Sequence, residues 1–380
     1  MGLFKKIQII IVCFCLVFTS AAQKKYEPPI TWKQSGVLPV QPNGLIHMGL
    51  SGVVSGVVGD QIIIAGGNNF PEGLPWEGGI KKYYNRVIVY NNQKDTLLNT
   101  FTFNLPANVA YAAVAQLKDG IFYAGGENEN GPLSSAYFIK KSKSQSFEII
   151  ELPSLPIAIS NAVAVATENA VYVLGGANKE GVSNKVWKLS LNNFKKGWTA
   201  QASMPQPTAF TAAAIANEHI YIMGGRCKEA NGISKIYKEV YAFDVENNFW
   251  EQKASLPETV SAACAVAIDN NKILFIGGDK IVVFHEVEML AAKIAATADT
   301  TIKKELTVVK NNLQKTHPGF SKDVLAYDAT LNKWSPYAQL NFTAPVTTSA
   351  FLFNHKILLP VGEIKPGIRT PYIWVGSFKK

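Results

Sequence analysis

The sequence predicts an all-β fold, a closed ring of six four-stranded blades, and three observations carry that expectation. Apolar, β-rich runs ending in paired glycines recur at 62–67, 121–126, 171–176, 220–225 and 273–278, their starts 49 to 59 residues apart. A degenerate sixth copy, Ile357-Leu358-Leu359-Pro360-Val361-Gly362, follows. Each copy has the same attendants: a small-residue strand before it and an aromatic-bearing strand after it. A final outer strand is missing at the C-terminal end and present at the N-terminal end. Fixed self-similarity of this kind is the mark of a repeat architecture.

The small-residue strands, such as 110–115, 162–166, 211–216 and 262–267, suit the innermost position, where converging blades leave little room. The glycine pairs allow backbone angles and close approaches that a Cβ would block. Third strands carry Trp187, Tyr241 and Tyr327, and outer strands begin near Trp198, Trp250 and Trp334. After the sixth copy the segment 372–375 supplies a third strand and no outer strand follows. The Thr31-Trp32 to Leu38-Pro39 stretch has the outer-strand pattern, so it is expected to complete the last blade. Such closure removes the exposed edges of an open array. The period of about fifty is that of kelch repeats.

One interval is too long. Gly277 and Gly362 are 85 residues apart, and the surplus, about 286–316, spaces Val287, Leu290, Ile294, Ile302, Leu306, Val309 and Leu313 by threes and fours. That is amphipathic helix periodicity. One or two helices are therefore expected between the second and third strands of blade five, shaping a site or serving as a packing or homodimer contact.

Residues 1–22 read as a signal peptide: Lys5 and Lys6, an apolar run from 7 to 18, then Thr19-Ser20-Ala21-Ala22. Export to the periplasm or beyond is expected, leaving 23–380 as the propeller, with no membrane association after cleavage. Only Cys227 and Cys264 would remain, too few for a disulfide framework, and two separate buried thiols are the expectation. The net charge of +9 is scattered rather than striped, so no nucleic-acid partner is expected. A mildly basic surface suits an anionic small ligand.

Phosphate-loop, dinucleotide and Gly-x-Ser-x-Gly motifs are absent, and His47, His219, His285, His317 and His355 lack metal-ligand spacing. No metal is expected. What stands out is Gly362-Glu363-Ile364-Lys365-Pro366-Gly367-Ile368-Arg369-Thr370. A carboxylate here takes the place expected of the second Gly, and an Arg follows six residues on. Loops on one face of a propeller converge near its axis, so Glu363 and Arg369 can meet one ligand. The alternative is a loop salt bridge of little worth.

This loop resembles the signature of the kelch-type N-acetylneuraminate epimerases, the sialic acid mutarotases. Ala65-Gly66-Gly67 with Phe70, then Trp76-Glu77-Gly78-Gly79 and Lys81-Lys82-Tyr83-Tyr84, is similar to a second segment of that family. The helical insertion sits in a similar place. In the better-known members the signature loop precedes the Ala-Gly-Gly strand; here the order is reversed, so the chain resembles a cyclically permuted branch. The resemblance implies isomerase activity on an anionic sugar, interconverting α and β anomers of sialic acid without a cofactor. It implies that Glu363 is the base and Arg369 the grip on the substrate carboxylate. Lys365, Lys81 and Lys82 would add positive field, with Glu77 and Glu127 as candidates for hydroxyl contacts or the second proton transfer. Arg226 has no counterpart in the family and is read as structural. The rival expectation is an exported propeller that binds a glycan or protein without catalysis, and a third is the same chemistry on another sugar.

Overall fold

The computed structural model describes residues 29–41, 44–94 and 96–379; the expected signal peptide lies outside them. Six blades form. The first five are built in chain order, for example Ser51–Val58, Gln61–Asn69, Arg86–Gln93 and Thr96–Asn104 in blade one, and Cys264–Ala267, Lys272–Ile276, Asp323–Asp328 and Lys333–Gln339 in blade five. Blade six takes Phe351–Phe353, Lys356–Lys365 and Ile368–Phe378 from the C-terminal end and Ile30–Val37 from the N-terminal end. Trp32 pairs with Gly376 and Val37 with Tyr372, the closure that the displaced outer strand implied.

Burial explains why a chain of this length needs no second domain. The buried apolar side chains fall into six clusters, and each joins two neighbouring blades. Ile62 and Tyr90 of blade one pack with Leu358 and Ile373 of blade six; Phe122 of blade two packs with Val171 and Leu189 of blade three. Every interface is thus its own small core.

At the outer rim one contact is repeated. The Trp198 indole N–H donates to the Pro153 carbonyl at 2.7 Å, Trp250 to Ala202 at 2.9 Å and Trp334 to Ala254 at 2.8 Å, each on the preceding blade. Asn248 and Asn332, two residues before the last two of these, accept from the backbone N–H of the same Ala202 and Ala254 at 2.8 and 2.7 Å. An Asn-x-Trp turn therefore holds both polar groups of one residue on the neighbouring blade. Blade six differs: Trp32 lies edge-on to Phe342, which stacks on Trp374 at 3.8 Å, and its indole N–H has no described partner.

The sixth copy corrects one expectation. Val361, at φ 38°, stands at the first glycine position and Gly362, at φ 122°, at the second. The Gly362 N–H donates to Leu50 O, as Gly126 does to Ile159 O and Gly225 to Val260 O. Glu363 thus follows the pair rather than replacing its second member. A Cβ on Gly362 would meet Pro345 Cβ at 2.8 Å and Val346 O at 2.9 Å, which is why glycine persists there.

The insertion forms two helices, α1 (Val282–Ala296) and α2 (Thr300–Lys315), placed between the second and third strands of blade five as expected. Helix α1 starts four residues earlier than the spacing suggested, because Val282 and Val283 read locally as strand. Asp299 caps α2 by accepting from the Thr301 and Ile302 N–H groups. Cys227 and Cys264 are unpaired; Cys264 is buried and Cys227 partly exposed.

Candidate active site

Two rings of backbone build the mouth of the propeller. The first is a collar of Gly52, Tyr111, Asn161, Phe210, Ala262 and Thr347, one per blade, all at φ between 51° and 67°. Gly52 N–H donates to Thr347 O, Tyr111 to Gly52, Asn161 to Tyr111, Phe210 to Asn161 and Ala262 to Phe210, at 2.7 to 3.1 Å. Those bonds compensate a left-handed conformation that side chains seldom adopt. The second ring is the residue after each glycine pair: Asn68, Glu127, Ala177, Arg226, Asp279 and Glu363. Each is bridged to the residue just before the collar, as Ala110 to Glu127, Ala209 to Arg226 and Val346 to Glu363. Six equivalent backbone positions thus present five different side-chain chemistries around one axis.

The collar separates two spaces. Below it runs the channel between the inner strands, about 430 Å³, walled mostly by Ala and Val. Above it lies a cavity of about 410 Å³ that gathers the titratable groups, Lys81, Glu127, Arg226, Asp279, His317 and Glu363 among them. Helix α1 supplies one wall through Val283, Phe284 and Val287, and Gln314, His317 and Phe320 follow from α2 and its exit. Several hydrogen bonds hold this insertion over the mouth, His285 Nε2 with the Ser234 carbonyl at 2.6 Å among them. Glu288 accepts from both the N–H and the hydroxyl of Ser234 at 2.8 and 2.9 Å, and Asn311 donates to Trp76 O at 3.3 Å. The titratable groups named above line the upper space, and none of them lines the lower one.

Glu363 lines that cavity with its side chain 18% exposed. Its Oε1 accepts from the Gly367 N–H at 2.7 Å and faces Arg369 Nη1 at 3.8 Å. Its Oε2 has no hydrogen bond among the described residues. Arg369 is buried behind it, its side chain only 3% exposed. The Arg369 Nη2 donates to Asn68 Oδ1 at 3.2 Å, and its guanidinium lies 4.7 Å from the Phe70 ring. Asn68 is held for this by its own Nδ2, which donates to Ser51 O at 3.0 Å. Arg369, expected to grip the ligand, lies behind the carboxylate and is not among the residues that line the cavity.

The two motif segments from opposite ends of the chain do meet. Beyond the contacts of Asn68 and Phe70 with Arg369, Pro75 and Trp76 pack so closely on Gly367 that a Cβ there would lie 2.6 Å from Pro75 Cδ. Of the other expected site residues, Lys81 and Glu127 line the cavity and pair at 3.2 Å, with the Tyr83 hydroxyl donating to the same Glu127 oxygen at 2.8 Å. Burial disfavours the Lys81 ammonium, but the combined pull of Tyr111, Glu127 and Tyr83 outweighs it and the net shift is upward. Tyr83 is pushed up to about 12, first by burial and then by its bond to Glu127. Glu77, Lys82 and Lys365 are not brought in. Glu77 is exposed and caps its own turn by accepting from Leu74 N–H at 3.2 Å; Lys82 is exposed over Tyr84; Lys365 sits on the hairpin outside the lining.

Several cavity residues escaped the sequence reading, His317 and Arg226 among them. His317 accepts from the Gly319 N–H through Nδ1 at 3.0 Å, so a neutral ring carries its proton on Nε2. Burial holds its pKa below the usual histidine value, with Lys365 adding to that and Asp279 opposing it. Arg226, expected to be structural, lines the cavity with its guanidinium between the rings of Phe210 and Phe284, 4.0 and 4.3 Å away. In the folded chain it stands directly after Gly224-Gly225, as Glu363 stands after Val361-Gly362.

A family model described as N-acetylneuraminate epimerase matches residues 152–380, blades three to six with the Glu363 loop. Proteins named N-acetylneuraminate epimerase from Yersinia pestis (strain Pestoides F) and Vibrio vulnificus (strain YJ016) are 26% and 28% identical over 232 and 226 residues. A third, N-acetylneuraminate epimerase 1 of Escherichia coli O6:H1, is 24% identical over 231 residues. These alignments cover 57 to 60% of this chain and 57 to 59% of each relative, so the chain spans a little over half the length of the curated relatives it matches. The matched span takes in Glu363, Arg369, Arg226 and the helical insertion, and on it the chain belongs to the N-acetylneuraminate epimerase family.

Proposed function

We propose that the protein is an exported mutarotase that accelerates the interconversion of the α and β anomers of N-acetylneuraminate. The observation that carries this reading is Glu363: a cavity-lining carboxylate with one oxygen fixed by Gly367 and Arg369 and the other unengaged. Mutarotation needs little more than proton transfer. A base takes the proton of the anomeric hydroxyl, the bond between the anomeric carbon and the ring oxygen breaks, and an acid protonates that oxygen. Rotation of the resulting keto group and reversal of both transfers gives the other anomer. Glu363 Oε2 is the base of this scheme, in a cavity walled on one side by Val283, Phe284 and Val287 of α1.

Arg369 serves by fixing the carboxylate, which makes the orientation of Oε2 independent of the ligand. The acid comes from the proton-bearing groups that share the cavity, Tyr111, Lys81 and His317. Glu127 is engaged by Lys81 and Tyr83 and acts through them. The scheme moves only protons and calls for no cofactor. Permuted chain order is part of the proposal: blade one, which carries Asn68 and Lys81, lies outside the matched span yet abuts blade six in the ring. The test is exchange NMR on the two anomers of N-acetylneuraminate and of a neutral sugar such as N-acetylglucosamine. Acceleration confined to the sugar acid supports the reading. A protein that binds the sugar without changing the exchange rate is the non-catalytic glycan-binding module instead.

A further inference from the structure

Arg226 is a cation without a counterion. No carboxylate lies within 4 Å of its guanidinium among the described residues, and none of its five N–H donors has a hydrogen-bond acceptor there. Each of the three nearby acids has at least one oxygen engaged elsewhere. Glu288 accepts twice from Ser234, Asp279 accepts from the Ile281 N–H at 2.8 Å, and Glu363 accepts from Gly367. What holds the group is two aromatic faces, Phe210 from the collar and Phe284 from α1. Rings on both faces of a planar guanidinium leave its edge as the direction in which hydrogen bonds can form.

A half-buried guanidinium whose edge meets no acceptor among the described residues is costly to keep unpaired. Two features compound that cost: burial presses its pKa down, with Glu288, Asp279 and Glu363 acting in the opposite direction, and one of the two rings comes from the inserted helix. By contrast Lys81, the other cation in the cavity, already has Glu127. Arg369 donates through Nη2 to Asn68 and has Glu363 as its counterion at 3.8 Å, its buried Nε and Nη1 lacking hydrogen-bond partners among the described residues.

We infer that Arg226, clamped between Phe210 and Phe284, is the carboxylate-binding residue of this site, taking the acid group of a sugar acid edge-on in a bidentate pair. The inference rests on the reading of the cavity as a sugar-acid site and assigns its specificity to a residue outside the signature loop. Blade four thus selects the acid and blade six carries the base, with the α1 wall of blade five between them.

The test reads binding, without turnover, by titration calorimetry with N-acetylneuraminate and its methyl ester. Wild type is expected to bind the acid about 30-fold more tightly than the ester, the worth of charge-assisted hydrogen bonds. Arg226→Gln should bind both at the level of the ester, and Arg226→Lys, which keeps the charge but not the planar fork, should retain only part of the discrimination. Phe284→Leu, which removes one face of the clamp from the insertion, should also weaken the acid and leave the ester unchanged. Equal affinity of wild type for acid and ester would overturn the inference. So would discrimination that survives in folded Arg226→Gln but disappears in Arg369→Gln. A wild type that discriminates but does not exchange anomers would sink the mutarotase reading and leave the clamp standing.

Discussion

The rim and the mouth of this propeller obey opposite rules. At the rim the same interaction is repeated, an indole N–H reaching a carbonyl of the preceding blade in blades three, four and five. At the mouth the backbone is what repeats, while the side chains differ: the residue after the glycine pair is Asn68, Glu127, Ala177, Arg226, Asp279 or Glu363. Repetition at the rim closes a ring from units that cannot stand alone. Variation at one fixed offset places unlike charges around a single axis. Changes at the mouth should therefore cost activity with little effect on stability, and changes at the rim the reverse.

The contrast is sharpest at the buried arginine of the signature loop. Arg369→Met removes the support on which Glu363 rests and should lower the anomer exchange rate about 100-fold, in the range of a lost preorganised charge contact. Exchange kinetics beside a thermal melt would check this. A fall in rate explained wholly by unfolding would erase the distinction between support and scaffold.

At the rim the expected effects are smaller and purely structural. Trp334→Phe leaves Ala254 O without its donor and should cost about 1 kcal/mol more than Trp32→Phe, since the Trp32 indole N–H has no partner to lose among the described residues. Denaturant titration of the two variants gives the difference, and exchange activity should be unchanged in both. Equal losses would mean that the latch holds by packing alone.

The smallest effect is a dependence on pH. The His317 pKa is held below its ordinary 6.5 by burial, so the unfolded chain binds that proton more readily than the folded one. Its contribution is intact above about pH 6.5 and is lost as pH falls below that value. His317→Gln should flatten the acid side of the stability curve by less than about 1 kcal/mol. A steeper decline in the variant would contradict the sign.

Most of the architecture was legible because it is repeated. Five glycine pairs and the displaced Trp32 strand gave the ring, its closure and the place of the insertion. What escaped reading was local. The start of α1 was hidden by Val282 and Val283, whose β-branched side chains favour strand until the helix is fixed by Glu288 on Ser234. The sixth copy slipped by one residue because Val361 adopts a left-handed angle that sequence reserves for glycine. Arg226 was passed over because it matched no motif, although its register equals that of Glu363. Conversely, Glu77, Lys82 and Lys365 belonged to or neighboured motif segments, and only the folded chain shows that they lie outside the cavity lining. Proximity in a motif sets the backbone; which way a side chain faces depends on the neighbouring blade.

The central claim is that Glu363 is the base, and it is tested most directly by anomer exchange of N-acetylneuraminate in Glu363→Gln. That variant keeps the size and the Gly367 contact of the side chain and removes only its basicity. The account predicts exchange at the uncatalysed rate, in a protein whose melting curve and sugar binding match those of wild type. Exchange that continues undiminished in the folded variant would contradict it.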